Sequence, residues 1–144
     1  MKTISAKPGY LTVSFSDDQS YIYFDWENFE ISLEDCIDAF RLAEKAMVER
    51  GVFLIVSDIG KVKQNLKPEV AKWWGEVCIP SLAKTGVKLI VNLVPRSPGA
   101  EGSASSKPET MNGIVMHKAH SLGEAQALVQ DFLKSTMRRA GLTG

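Results

Sequence analysis

The chain has 144 residues, 44% of them apolar and 24% charged, which is the make-up of one globular domain that closes its own core without staples. Its 17 basic and 17 acidic residues cancel, so the basic face of a nucleic-acid binder is not expected. The stretch Met1-Lys2-Thr3-Ile4-Ser5-Ala6 lacks the apolar centre of a signal peptide. No apolar run approaches the roughly 20 residues of a membrane span. The expected location is the cytoplasm. Cys36 and Cys78 have no metal-ligand spacing and read as small buried hydrophobes in a reducing compartment.

Residues 1–9 are polar and hold Pro8-Gly9, so they read as a flexible N-terminus. From Tyr10 to Ser16, Leu11, Val13 and Phe15 alternate with Thr12, Ser14 and Ser16, the period of a half-buried strand. Asp17-Asp18-Gln19-Ser20 has turn chemistry, and the aromatic run Tyr21 to Trp26 pairs back as a hairpin. Ser32, with Asp35 three residues on, opens a helix. Leu33, Cys36, Ile37, Phe40 and Met47 share one face of it, and Gly51 ends it.

Val52-Phe53-Leu54-Ile55-Val56 then runs into Ser57-Asp58-Ile59-Gly60. Short, nearly continuous apolar runs mark strands buried on both faces of a parallel sheet. Residues 58–67 form a loop carrying Lys61, Lys63 and Lys67. Pro68 suits the first turn of a helix reaching about Lys84, with Val70, Trp73, Trp74, Val77 and Cys78 as its stripe. Pro80 is expected to kink or end it. Val87 to Val94 is the next strand.

Residues 95–113 are rich in proline, glycine and serine, and little regular structure is expected there beyond one turn near Pro108. Ile114 to His117 is a last short strand. Ser121 with Glu124 forms a capping box for a helix burying Ala125, Leu128, Val129, Phe132 and Leu133. Residues 138–144 read as a flexible tail. The expected fold is a single α/β domain over 10–137. It has a mixed, mostly parallel sheet of about five strands, an antiparallel N-terminal hairpin at its edge, and helices packed on the sheet.

This order resembles the STAS-like fold of SpoIIAA-like anti-sigma-factor antagonists. The resemblance rests on Tyr21 to Trp26, on Leu54 to Gly60, on the Trp73-Trp74 helix, on Lys88-Leu89-Ile90-Val91 and on the Ser121 helix start. It implies a bacterial signalling or regulatory interaction module, not an enzyme. Typical antagonists carry a phosphorylatable Ser or Thr at the start of the helix after the central strand. Here Leu66, Lys67 and Pro68 stand at that place, so the resemblance does not extend to that switch.

Ligands of open α/β sheets lie beyond the carboxyl ends of the parallel strands. Ser57, Asp58, Arg96, His117 and Lys118 are therefore the candidate ligand-binding residues. Arg96 and Lys118 would serve an anion, and Asp58 reads first as a turn acid ahead of Gly60 and second as a ligand for a basic group. Asp58, Gly60, Lys61, Lys63, Lys67 and Trp74 form the candidate surface for a protein partner. Trp73 and Trp74 lie about 100° apart on a helix, so one of them can reach the edge of the buried face. His117 and His120 lack the further ligands of a metal site. No phosphate-cradling glycine motif or partnered nucleophile is visible. No catalytic residue, metal or cofactor is expected. The alternative to a partner-docking module is a protein that binds a small apolar or lipid-like ligand, with aromatic residues enclosing it. A homodimer is also expected, through the hairpin edge or an uncovered helix face.

Overall fold

Pro8 and Gly9 turn the chain rather than loosening it. Pro8 presets its own φ, Gly9 takes φ 84°, and the Tyr10 amide donates to the Lys7 carbonyl at 2.9 Å. That is the chemistry of a tight turn with proline and glycine at its centre. In this computed structural model, which describes residues 1–94 and 108–139, Lys2–Lys7 is strand β1, antiparallel to β2 (Leu11–Phe15). The expectation of a flexible 1–9 is corrected accordingly. The expected hairpin of β2 with β3 (Ile22–Trp26) is present, but β1 covers it, so it lies one strand in from the edge.

Ser32 accepts the Asp35 amide at 3.1 Å and opens helix α1 (Leu33–Arg50), which Gly51 closes at φ 68°. Strand β4 (Leu54–Asp58) follows, parallel to β3. Helix α2 (Pro68–Trp73) runs through a π-helical turn, Trp74–Cys78, into α3 (Ile79–Thr85). Pro80 was expected to kink or end this helix. Instead the turn ahead of it widens, and the Ile79 amide donates to the Trp74 carbonyl five residues back. A wider turn accommodates a ring that has no N–H and clashes with the fourth carbonyl behind it.

Strand β5 (Leu89–Leu93) is parallel to β4. Strand β6 (Glu109–Met111) and β7 (Ile114–Ala119) then form a second hairpin. This corrects the expectation of an irregular segment up to Gly113. Asn112 and Gly113 take φ 53° and 83°, the left-handed pair that a two-residue hairpin turn requires. Residues 95–107 of that segment lie outside the described residues. Helix α4 (Leu122–Arg139) is capped by Ser121, which accepts the Glu124 amide at 3.1 Å. Glu124 reaches back to the His120 amide at 3.2 Å.

The result is an α/β domain with a seven-stranded mixed sheet in the order β1-β2-β3-β4-β5-β7-β6. The two strands beyond the expected number are the outer ones, β1 and β6. Crossovers of one hand that step the same way across a sheet leave their helices on one face. Accordingly α1, α2 and α3 cover one face, over Val13, Phe24, Ile55, Ile90 and Ile114. Helix α4 takes the other, over Val56, Leu89, Val91 and Ala119. The Glu44 carboxylate ties α1 to α3 by accepting both the Ser81 and the Thr85 hydroxyls at 2.7 Å. Among the described residues no helix is long and apolar enough to cross a membrane.

Candidate functional site

Strand alternation sends successive residues to opposite faces, and this decides which candidates meet. On β4, Ile55 and Ser57 face the α1–α3 layer, whereas Val56 and Asp58 face the α4 side. On β5, Ile90 and Asn92 share the first face, and Leu89, Val91 and Leu93 the second. On β7, Ile114 and Met116 belong to the first. By the same period Lys118 joins them, and His117 goes with Val115 and Ala119 to the second.

A cleft of about 300 Å³ opens between the sheet and the α1–α3 layer, at the carboxyl ends of β4 and β5. Trp26, Phe29 and Phe40 form its aromatic wall. Ile59, Leu66, Val70 and Trp74 form the side made by the 58–67 segment, α2 and the start of the π-helical turn. Ile90, Val94, Met111 and Met116 line the sheet side, with Cys36 behind. Ser57 and Asn92 supply the polar side chains of the lining, apart from the Trp26 indole N–H, which donates to Ser57 Oγ at 3.1 Å. The rings of the walls pack on one another. Phe40 stacks on Phe24 with centroids 4.7 Å apart, and the edges of Trp73 and Trp74 meet it at 5.7 and 5.3 Å. Both tryptophans are half-buried, and Trp74 is the one that lines the cleft.

The candidate residues of the sequence divide. Ser57 lies in the cleft, and Lys118 is exposed at its face of the sheet. Asp58 lies on the opposite face, half-buried. Its Oδ2 accepts a hydrogen bond from the Tyr23 hydroxyl, and its Oδ1 accepts the Gly60 amide at 3.0 Å. Both oxygens are engaged, so Asp58 serves the turn and the sheet rather than the cleft. His117, registered beside Val91, is on that same far face. Grouping Ser57 and Lys118 with Asp58 and His117 in one ligand site is therefore corrected: the pleat divides them. Arg96 lies outside the described residues. Lys61 leans on Asp25 at 3.5 Å. Lys63 is exposed, and Lys67 is half-buried immediately before α2.

His120 Nδ1 sits 3.2 Å from the Val94 carbonyl oxygen, which can only accept, so this nitrogen carries the proton. Its buried Nε2 has no partner among the described residues. No group of three or more metal-ligating side chains occurs among them either. Burial pushes the Cys36 thiol up to about 12. Burial, then the Glu44 charge and Cys36, hold Cys78 higher still. Both cysteines are free, buried and uncharged at neutral pH.

Of the aromatics expected to enclose an apolar ligand, Trp26 and Trp74 line the cleft, whereas Asn92, Phe29 and Phe40 were not singled out for it from the sequence. One signal was present: Asn92 is the lone polar residue inside an apolar strand, near its carboxyl end. Its place beside Ser57 depends on a register that the chain does not write locally.

Burial and then the bond to Asp58 raise the Tyr23 hydroxyl pKa well above its ordinary value. A raised folded-state value means the unfolded chain gives up its proton first as pH rises. The stability from this proton is complete below about pH 10 and is lost above it. Tyr23→Phe is expected to flatten the alkaline fall of unfolding free energy. At neutral pH it should cost about 1–3 kcal/mol, because Asp58 loses a donor. Urea titrations of both proteins from neutral to alkaline pH measure this, and superimposable alkaline slopes would refute it.

Comparison of the chain with known family models, curated proteins and solved structures finds no match.

Proposed function

We propose that this protein is a binding module whose cleft takes a small, largely apolar molecule. The observation that carries the reading is the aromatic-walled cleft of about 300 Å³ at the carboxyl ends of the parallel strands. That volume and lining are those of small-molecule sites, and the location is where α/β sheets receive ligands. Binding rather than catalysis is supported by the lining itself. Among the described residues of the lining Cys36 is the titratable side chain, and burial keeps its thiol protonated. The two buried free thiols favour a reducing, cytoplasmic setting.

The test uses the neutral fluorophore N-phenyl-1-naphthylamine. Saturable enhancement at one molecule per chain is expected. Val94→Trp fills the cleft from its rim and should weaken this by more than about tenfold, with an unchanged urea midpoint. No enhancement, or equal enhancement in the variant, would sink the reading.

One observation favours a second reading, a regulatory interaction module resembling anti-sigma-factor antagonists. The segment that carries the exposed Lys63 and the half-buried Lys67 also contributes Ile59 and Leu66 to the cleft. A partner on these lysines would touch the rim of the same cleft. Reversing both charges should abolish partner binding while leaving the fluorophore titration unchanged.

A further inference from the structure

Two rows of side chains cross the sheet beneath the cleft, and they differ in chemistry. The inner row is Ile55, Ile90 and Met116, registered neighbours on β4, β5 and β7. One pleat repeat further toward the carboxyl ends, Ser57, Asn92 and Lys118 are registered neighbours on the same three strands and the same face. An apolar floor thus ends in a polar strip with a cation at its outer end.

The strip offers donors. The Trp26 N–H already occupies Ser57 Oγ at 3.1 Å, which leaves the Ser57 hydroxyl proton to be given away. Asn92 contributes amide N–H groups, and Lys118 an exposed ammonium. The acids nearest in sequence do not oppose it. Asp58 faces the other side of the sheet with both oxygens engaged. Glu109, registered with Met116 on this face, is exposed, and no ion pair joins it to Lys118. Among the described residues none of these donors is ion-paired to a carboxylate, and such a row suits a carboxylate ligand, whose two oxygens accept from several donors at once.

Resting on the cleft reading above, we propose that the ligand is a free amphipathic monocarboxylic acid. Its apolar body lies over Ile90 and Met116 between the aromatic walls, and its carboxylate meets the Ser57–Asn92–Lys118 row. Lys118 sets the preference for an acid over a neutral or cationic molecule of the same body.

The experiment displaces N-phenyl-1-naphthylamine from the full chain at neutral pH with octanoate, octanol and octylamine in turn. Octanoate should displace the probe at about tenfold lower concentration than octanol, the size of a charge-assisted hydrogen bond. Octylamine should be the weakest. Lys118→Ala, an exposed change that leaves the fold intact, should bring octanoate down to the octanol level without altering octanol. High salt should shrink the octanoate advantage in the wild type alone. Equal displacement by octanoate and octanol would overturn the acid preference while leaving the cleft reading standing. A preference that survives Lys118→Ala would overturn the role of the row. Failure of the probe itself to bind would overturn the cleft reading and this inference together.

Discussion

Replacing Phe40 with alanine is expected to lower the unfolding free energy by about 3–5 kcal/mol, the range for deleting a buried aromatic ring. Phe40 is only 2% exposed and sits where four other rings converge. It stacks on Phe24, tilts against Trp26 at 6.2 Å and receives the edges of Trp73 and Trp74. Those rings come from β3, α2 and the π-helical turn and meet Phe40 on α1, so its loss opens a void between layers that cannot collapse without moving a helix. The cost is a large share of the 5–15 kcal/mol by which a domain is ordinarily stable. Urea unfolding followed by tryptophan fluorescence measures it. Because Phe40 also lines the cleft, the surviving folded fraction should bind N-phenyl-1-naphthylamine less selectively. A midpoint unchanged within error would show that the aromatic cluster is not the keystone of this face.

The second large effect is expected at Gly86, where alanine should cost about 1–3 kcal/mol through backbone strain. Gly86 closes α3 at φ 116°, outside the region that residues with a Cβ adopt. Its amide donates to the Leu82 carbonyl at 3.1 Å and the Ala83 carbonyl at 3.2 Å, and the next amide, of Val87, also reaches Leu82. An added Cβ would also lie 3.3 Å from the Phe53 ring, so the ring would have to give by a few tenths of an ångström on top of the strained dihedral. Gly51 provides the control. It also has positive φ, at 68°, but an added Cβ there meets nothing within 4 Å, and φ 68° lies in the left-handed well. Gly51→Ala should therefore cost less than Gly86→Ala. Urea midpoints in the reverse order would refute the strain argument.

Much of the architecture was written locally. Ser32 and Gly51 bracket α1 because a hydroxyl can take an orphan amide and glycine can turn left-handed. The apolar runs of β4 and β5 have the composition of strands buried on both faces. Two edges were misread although their signals were present. Pro8-Gly9 and Asn112-Gly113 are turn pairs, but β1 and β6 beside them are mostly polar and bury no residue fully. Strands of that kind owe their order to a neighbouring ladder rather than to any pattern of their own. The π-helical turn before Pro80 also escaped, because proline alone does not say whether a helix breaks or widens.

The candidate site was legible only as an address. The carboxyl ends of β4, β5 and β7 could be named from strand order, and of the candidates there Ser57 lines the cleft, as does Trp74 from the surface expected to meet a partner. Which of their neighbours share a face was decided by pleat and register. These put Asp58 and His117 on the α4 side and brought Asn92 beside Ser57. What the sequence by itself determined was element type and order, since caps, turns and hydrophobic period act over a few residues. What only the tertiary structure decided was the cleft, because its walls are assembled from β3, α1, α2 and β5 through β7. Contacts between residues so far apart in the chain exist only after the sheet has set their register.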